Sequence, residues 1–164
     1  MFNSLSNRPF SLRGLSLAAV VAGAMSIVAT GAVAGECPAD KMGANLTKPS
    51  TMAAKDVTDV VLAAVDVAKE PAGIQGRQFR LRKLEIKPGG VVPWHSHGDR
   101  PAIIYVVSGE VLEYASTCAV PIVHMAGEVS VETNGISHWW QNKGKEKVVL
   151  LSADILHDPA DMNM

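Results

Sequence analysis

The chain has 164 residues, with 15 basic against 16 acidic side chains and a formal net charge of −1. That near-neutral balance argues against nucleic acid as a partner and offers no basic patch for anionic lipid. The length suits one domain with a real core, and no internal repeat, low-complexity tract or second domain is evident.

Residues 1–34 read as a cleaved signal peptide. Arg8 and Arg13 form a positive n-region, Leu15 to Val28 is apolar, and Ala32-Val33-Ala34 fits a small-x-small cleavage site. The apolar core is diluted by Ser and Gly and falls short of the ~20 residues needed to span a bilayer, so no stable membrane span is expected after cleavage. The two arginines are not adjacent, which leaves a twin-arginine route unsupported, and Glu36 before Cys37 argues against lipidation. The expectation is export, to the periplasm or beyond. Arg8 and Arg13 are the leader's only charges, so the mature chain carries 13 basic against 16 acidic residues, formally −3.

Residues 35–55 mix Pro, Gly, Asn and Lys without periodicity and read as an N-terminal arm. From residue 56 to 164 the chain reads as a single β-rich domain. The segment Val57 to Lys69 is the one candidate helix, and its β-branched content argues against it. GRQFRLRKLEIKPGG alternates apolar with charged residues before a Pro-Gly-Gly turn, and IIYVVSGEVLEY is two β-rich runs joined at Ser-Gly, a hairpin signal. AVPIVHMAGEVSVE and KVVLLSADIL continue the style. Several short strands in a small domain predict an antiparallel sandwich or barrel. Cys37 and Cys118 either form a disulfide or leave Cys118 a structural thiol, since two cysteines do not fix the geometry.

Five histidines fall at 95, 97, 124, 138 and 157. His95 and His97, two residues apart, share a face if their segment is a strand. His138 follows Asn134-Gly135, a tight-turn pair, and enters a new strand. Three imidazoles from two strands can meet at one interior point, a donor set suited to a first-row divalent metal with open positions for water or substrate.

These residues carry a family resemblance. Gly89, five residues, His95, one, His97, four, Ala102, six, Gly109 resembles the first cupin motif, with Ala102 at the place of the usual ligand Glu. Gly127, five residues, Thr133, one, Gly135, two, His138, three, Asn142 resembles the second, with Thr133 in place of Pro. The motif core covers 89–142, and flanking strands extend the match over most of Gln75 to Leu156. The resemblance implies an all-β fold, a double-stranded β-helix or cupin jelly-roll barrel, holding one metal ion at His95, His97 and His138. Iron(II) is favoured, with zinc, nickel or manganese as alternatives. Homodimerisation is common for such barrels and is expected on that ground alone.

With Ala102 unable to bind a metal, the expected site is three neutral imidazoles. Asp99, Glu113 and Glu128 are weaker candidates for a fourth, carboxylate ligand. A metal without a carboxylate keeps its double positive charge and favours a small anionic molecule. The leading reading is an oxidoreductase of dioxygenase type acting on a small anionic metabolite. A non-catalytic binding module and a zinc or nickel isomerase or lyase are the alternatives, and whether the centre is catalytic stays open. Arg100 is a candidate contact for a substrate carboxylate. Ile104 and Val106 share the Ala102 face and would line the centre, while Tyr105 faces away. Trp139 and Trp140 must point to opposite sides, and His124 and His157 read as structural or surface histidines.

Overall fold

The computed structural model of the chain describes residues 35–157, within the unit Gly31–Met164. The leader pattern and the tail from Asp158 lie outside these residues. The described chain forms eight strands: β1 (Lys55–Asp66), β2 (Gln78–Ser96), β3 (Ala102–Ser108), β4 (Glu110–Ala115), β5 (Ile122–Met125), β6 (Val129–Glu132), β7 (Ser137–Gln141) and β8 (Val148–Leu156). They form one sheet in the order β5-β4-β7-β2-β8-β3-β6, with β1 added to β2. All pairings are antiparallel, and the sheet curls into the jelly-roll barrel expected from the motifs.

Three local expectations are refined. Val57 to Asp66 lies in β1, as its β-branched content favours, and it pairs with the first half of β2. The Pro-Gly-Gly segment is a bend inside the 19-residue β2 rather than a turn between strands. Gly89 has φ +77, and a Cβ on Gly90 would stand 2.8 Å from the Lys87 carbonyl oxygen, so both positions require glycine. The Ser-Gly signal is not a hairpin. β3 pairs with β6 and β8, whereas β4 pairs with β5 and β7. Gly109, at φ +84, is the corner where the chain crosses between the two sides of the barrel.

The strands bury alternate residues. Leu84, Ile86, Val92, Ile104, Val106, Val111, Trp140, Val148 and Leu150 fill the interior around Ala102. Each large aliphatic side chain buried this way contributes about 1.5–3 kcal/mol. Two strands depart from the usual apolar-in, polar-out pattern. On β6, Ser130 and Glu132 are buried while Val129 and Val131 are exposed, and on β3 the outward side is Ile103, Tyr105 and Val107. Tyr105 therefore faces away from Ala102, as strand alternation requires.

Several polar groups inside the barrel are paired. Arg80 grips Asp154 through two bonds of 2.9 and 2.8 Å, and Arg82 and Arg100 reach the same carboxylate at 3.2 and 3.4 Å. Arg82 also pairs with Asp59 of β1. Asn142 donates to the carbonyls of Ile86 and Glu146 and accepts from Gly144 N–H, which locks the exit of β7. A disulfide joins Cys37 to Cys118, and hydrogen bonds from Gly43 N–H to Thr117 and from Leu46 N–H to Ser116 lay the arm along the β4–β5 connection.

Candidate metal centre

His95 and His138 face each other directly in the β2–β7 ladder, and a β-bulge puts them there. Val92 pairs with Trp140 and His95 with His138, so three steps along β2 match two along β7. Without the extra residue Trp94 would oppose His138. The bulge re-aims the strand end and brings His95 to the inner face. His97 lies just past the end of β2, held by its N–H to the Ile136 carbonyl at 2.8 Å. That bond reaches the residue following the Asn134-Gly135 turn, whose two positive φ angles, 56 and 74, and Ile136-to-Thr133 bond define a type I′ turn. The histidine pair thus sits at the end of one strand, and His138 near the start of another. The three ring centroids lie 4.6 to 5.0 Å apart.

The second nitrogen of each ring sets which nitrogen faces inward. His95 Nδ1 donates to the Pro93 carbonyl at 2.9 Å, His97 Nδ1 to the Arg100 carbonyl at 2.8 Å, and His138 Nδ1 to Glu113 Oε1 at 2.6 Å. All three acceptors demand a proton on Nδ1, so in the uncharged rings each Nε2 presents a lone pair to the interior. There the lone pairs meet other acceptors. His95 Nε2 and His138 Nε2 are 3.1 Å apart, and His97 Nε2 is 2.9 Å from Glu132 Oε2. His97 Nε2 and Glu132 Oε1 are buried without a hydrogen-bond partner among the described residues. With all three rings uncharged such a set is repulsive with nothing between its members, and it becomes attractive around a positive charge, a proton on His138 Nε2 or a metal ion. Nitrogen and carboxylate donors of this kind fit a first-row divalent ion.

The fourth group is Glu132. One ligand atom from each of His95, His97, Glu132 and His138 lies within 4.8 Å of the others. This corrects the expectation of three neutral imidazoles. Ala102 does leave β3 without a carboxylate, but its partner in the β3–β6 ladder is Glu132, which enters the same space from the neighbouring strand. None of the three acids considered from sequence is the fourth group. Glu113 lies behind His138, Glu128 accepts the Met125 N–H at 2.7 Å, and exposed Asp99 accepts from His157 at 2.9 Å. The signal for Glu132 was its place two residues after Ser130, on the polar phase of VSVE; the two valines made that phase look outward.

Burial, then the charge of His138, pushes the His95 imidazole down to about 2, which keeps it unprotonated. For His138 burial acts in the same sense, but Glu132 and Glu113 outweigh it and raise the ring above the ordinary imidazole range. Burial would raise Glu113, yet hydrogen bonds from His124 and His138 overcome it and take the carboxyl down to about 2.

Arg100, the candidate contact for a substrate carboxylate, has its guanidinium buried against Asp154, and its carbonyl holds His97. A pocket beside the cluster is lined by Arg82, His95, Glu132 and Ser152 among the apolar Leu84, Ile104 and Trp140. Arg82 Nε is buried there with no hydrogen-bond partner among the described residues. Trp140 is buried, whereas Trp139 stacks on Tyr114 on the other side of β7 at 3.9 Å.

Fold and site together define a small jelly-roll barrel with an internal histidine–carboxylate cluster. Residues 82–154 match the family model described as a cupin domain, the family whose two motifs the sequence resembles. It is 30% identical over 107 residues to germin-like protein 8-14 of Oryza sativa subsp. japonica, covering 62% of this chain and 50% of that one. To auxin-binding protein ABP19a of Prunus persica it is 28% identical over 96 residues, covering 56% and 46%. The chain thus spans about half the length of the curated relatives it matches. A conserved protein with a double-stranded β-helix domain from Klebsiella pneumoniae subsp. pneumoniae shares the fold, with a TM-score of 0.50 and 16% identity over 70% of this chain and 86% of that one.

Proposed function

We propose that the barrel binds one divalent first-row metal ion through Nε2 of His95, His97 and His138 and the carboxylate of Glu132, and presents it to a small anionic molecule. The observation that carries this is the commitment of all three Nδ1 groups to protein acceptors, which leaves three lone pairs and a carboxylate turned on one point. Outer partners of this kind fix ring orientation and strengthen the donors of a metal site. Glu132 offsets one unit of the ion's charge, so the preference for an anion is weaker than three imidazoles alone would give, but it keeps its sign.

With iron(II) bound, the centre would supply dioxygen chemistry to a chelating anion, and this oxidoreductase reading is the one we favour. Leu84, Ile104 and Trp140 give the pocket apolar walls, and the buried Arg82 guanidinium adds positive charge to one wall. Anaerobic iron loading followed by oxygen uptake with small carboxylates and enolates tests the reading. Uptake that depends on iron and on one such compound supports it. Metal binding with no uptake for any of them leaves a binding module instead.

Export is part of the same proposal. It is supported by the leader's n-region, apolar core and cleavage pattern, and a Cys37–Cys118 disulfide suits an oxidising compartment. The outward apolar side chains Ile103, Tyr105 and Val131 support the proposal of a homodimer.

A further inference from the structure

We propose that Glu113 and His124 act as a positioning pair behind His138, fixing its ring and making it the strongest donor of the three imidazoles. The inference rests on the metal reading above and adds a role for two residues that would touch neither metal nor substrate.

The three histidines are held differently. His95 and His97 each give their Nδ1 proton to a neutral main-chain carbonyl, whereas His138 gives its own to a carboxylate at 2.6 Å. A charge-assisted bond of that length is roughly twice as strong as a neutral one and pushes electron density towards the far nitrogen. Strand register makes the contact. Ala115 of β4 stands opposite His138 of β7, and Glu113 opposite Trp140, so the carboxylate comes from the neighbouring inward position.

Glu113 is itself held from the other side. Its second oxygen accepts from His124 Nε2 at 2.7 Å, and Val111 of β4 stands opposite His124 of β5. His124 Nδ1 is buried with no hydrogen-bond partner among the described residues, which places the proton on Nε2, facing the carboxylate. The His124 ring stacks on Trp140 with centroids 4.8 Å apart, so it cannot turn away without displacing a wall of the pocket. Both carboxylate oxygens are thus fixed by two rings, and all three side chains are at most 3% exposed. A buried ion cluster needs no such directionality to hold a barrel together. Here the chain His124, Glu113, His138 ends at the centre.

The test is cobalt(II) substitution, read by the ligand-field absorption bands and by affinity in a chelator competition, with wild type, Glu113→Gln, His124→Phe and His124→Gln compared. Wild type is expected to bind one cobalt ion. Glu113→Gln should shift the bands and weaken binding by roughly 10–100-fold, the usual cost of losing an outer partner. His124→Phe keeps the stack but loses the donor and should move the bands in the same direction, while His124→Gln restores a donor and should return them towards wild type. Should Glu113→Gln fail to fold, the two His124 variants decide alone. Unchanged bands and affinity in Glu113→Gln, or identical behaviour of the two His124 variants, overturn the positioning role while leaving the metal reading intact. A wild type that takes up no cobalt overturns both.

Discussion

Ala102 and Glu132 are direct partners in the β3–β6 ladder, and both are buried, 3% and 2% exposed. Directly opposed residues on one face have Cβ atoms about 4.5–5.5 Å apart, within reach of a glutamate side chain. The carboxylate absent from the first cupin motif has therefore not been lost from the cluster. It enters from the next strand.

The exchange predicts a rescue. Glu132→Ala should weaken metal binding by at least the roughly 10–100-fold that outer-partner losses cost. Adding Ala102→Glu to that variant returns a carboxylate to the same space and should recover part of the affinity. Metal competition with a chromogenic chelator checks both, and a double variant no better than Glu132→Ala counts against Glu132 as a ligand.

Metal uptake should weaken in acid. In the metal-free protein His138 is held above the ordinary imidazole range, and the added proton occupies Nε2, the atom turned towards the cluster. Protons therefore compete with the ion as pH falls through that raised value, and affinity increases as pH climbs above it. His95, held down to about 2, does not limit binding. Titration with cobalt between about pH 5 and 8 reads the slope, and an affinity flat across that range would contradict it.

Asp154 is the shared partner of Arg80, Arg82 and Arg100. Asp154→Asn removes the charge while nearly keeping the shape, and buried arginines are left under-compensated. The expected loss is about 3–5 kcal/mol, measured by urea unfolding of the metal-free protein.

The Cys37–Cys118 disulfide closes a sequence separation of 81 and fastens the arm beside Ile122 and Ala115. A paired Cys37→Ser, Cys118→Ser variant should lose about 2–4 kcal/mol while retaining the wild-type metal stoichiometry. Thermal unfolding and metal analysis on the same sample separate the two effects.

The barrel was legible because its signals are local: glycine positions, turn pairs and histidine spacing recur at fixed intervals. His95, His97 and His138 were legible for the same reason. The bulge at Pro93-Trp94 was not, because an extra residue leaves no mark in hydropathy, yet it decides that His95 and not Trp94 faces His138. The β3–β4 junction read as a hairpin because Ser-Gly satisfies a corner as well as a turn. Glu132 escaped because valines at 129 and 131 face solvent, which inverts the polarity that normally sets strand phase. Glu113 and His124 are eleven residues apart and meet only through the β4–β5 register.

Metal binding by His95, His97, Glu132 and His138 is tested by elemental analysis of anaerobically purified mature protein, beside a His95→Ala control. One first-row metal ion per chain is expected in the wild type, with a marked loss in the control. A wild type without metal after loading and desalting, or a control that keeps its full complement, would contradict it.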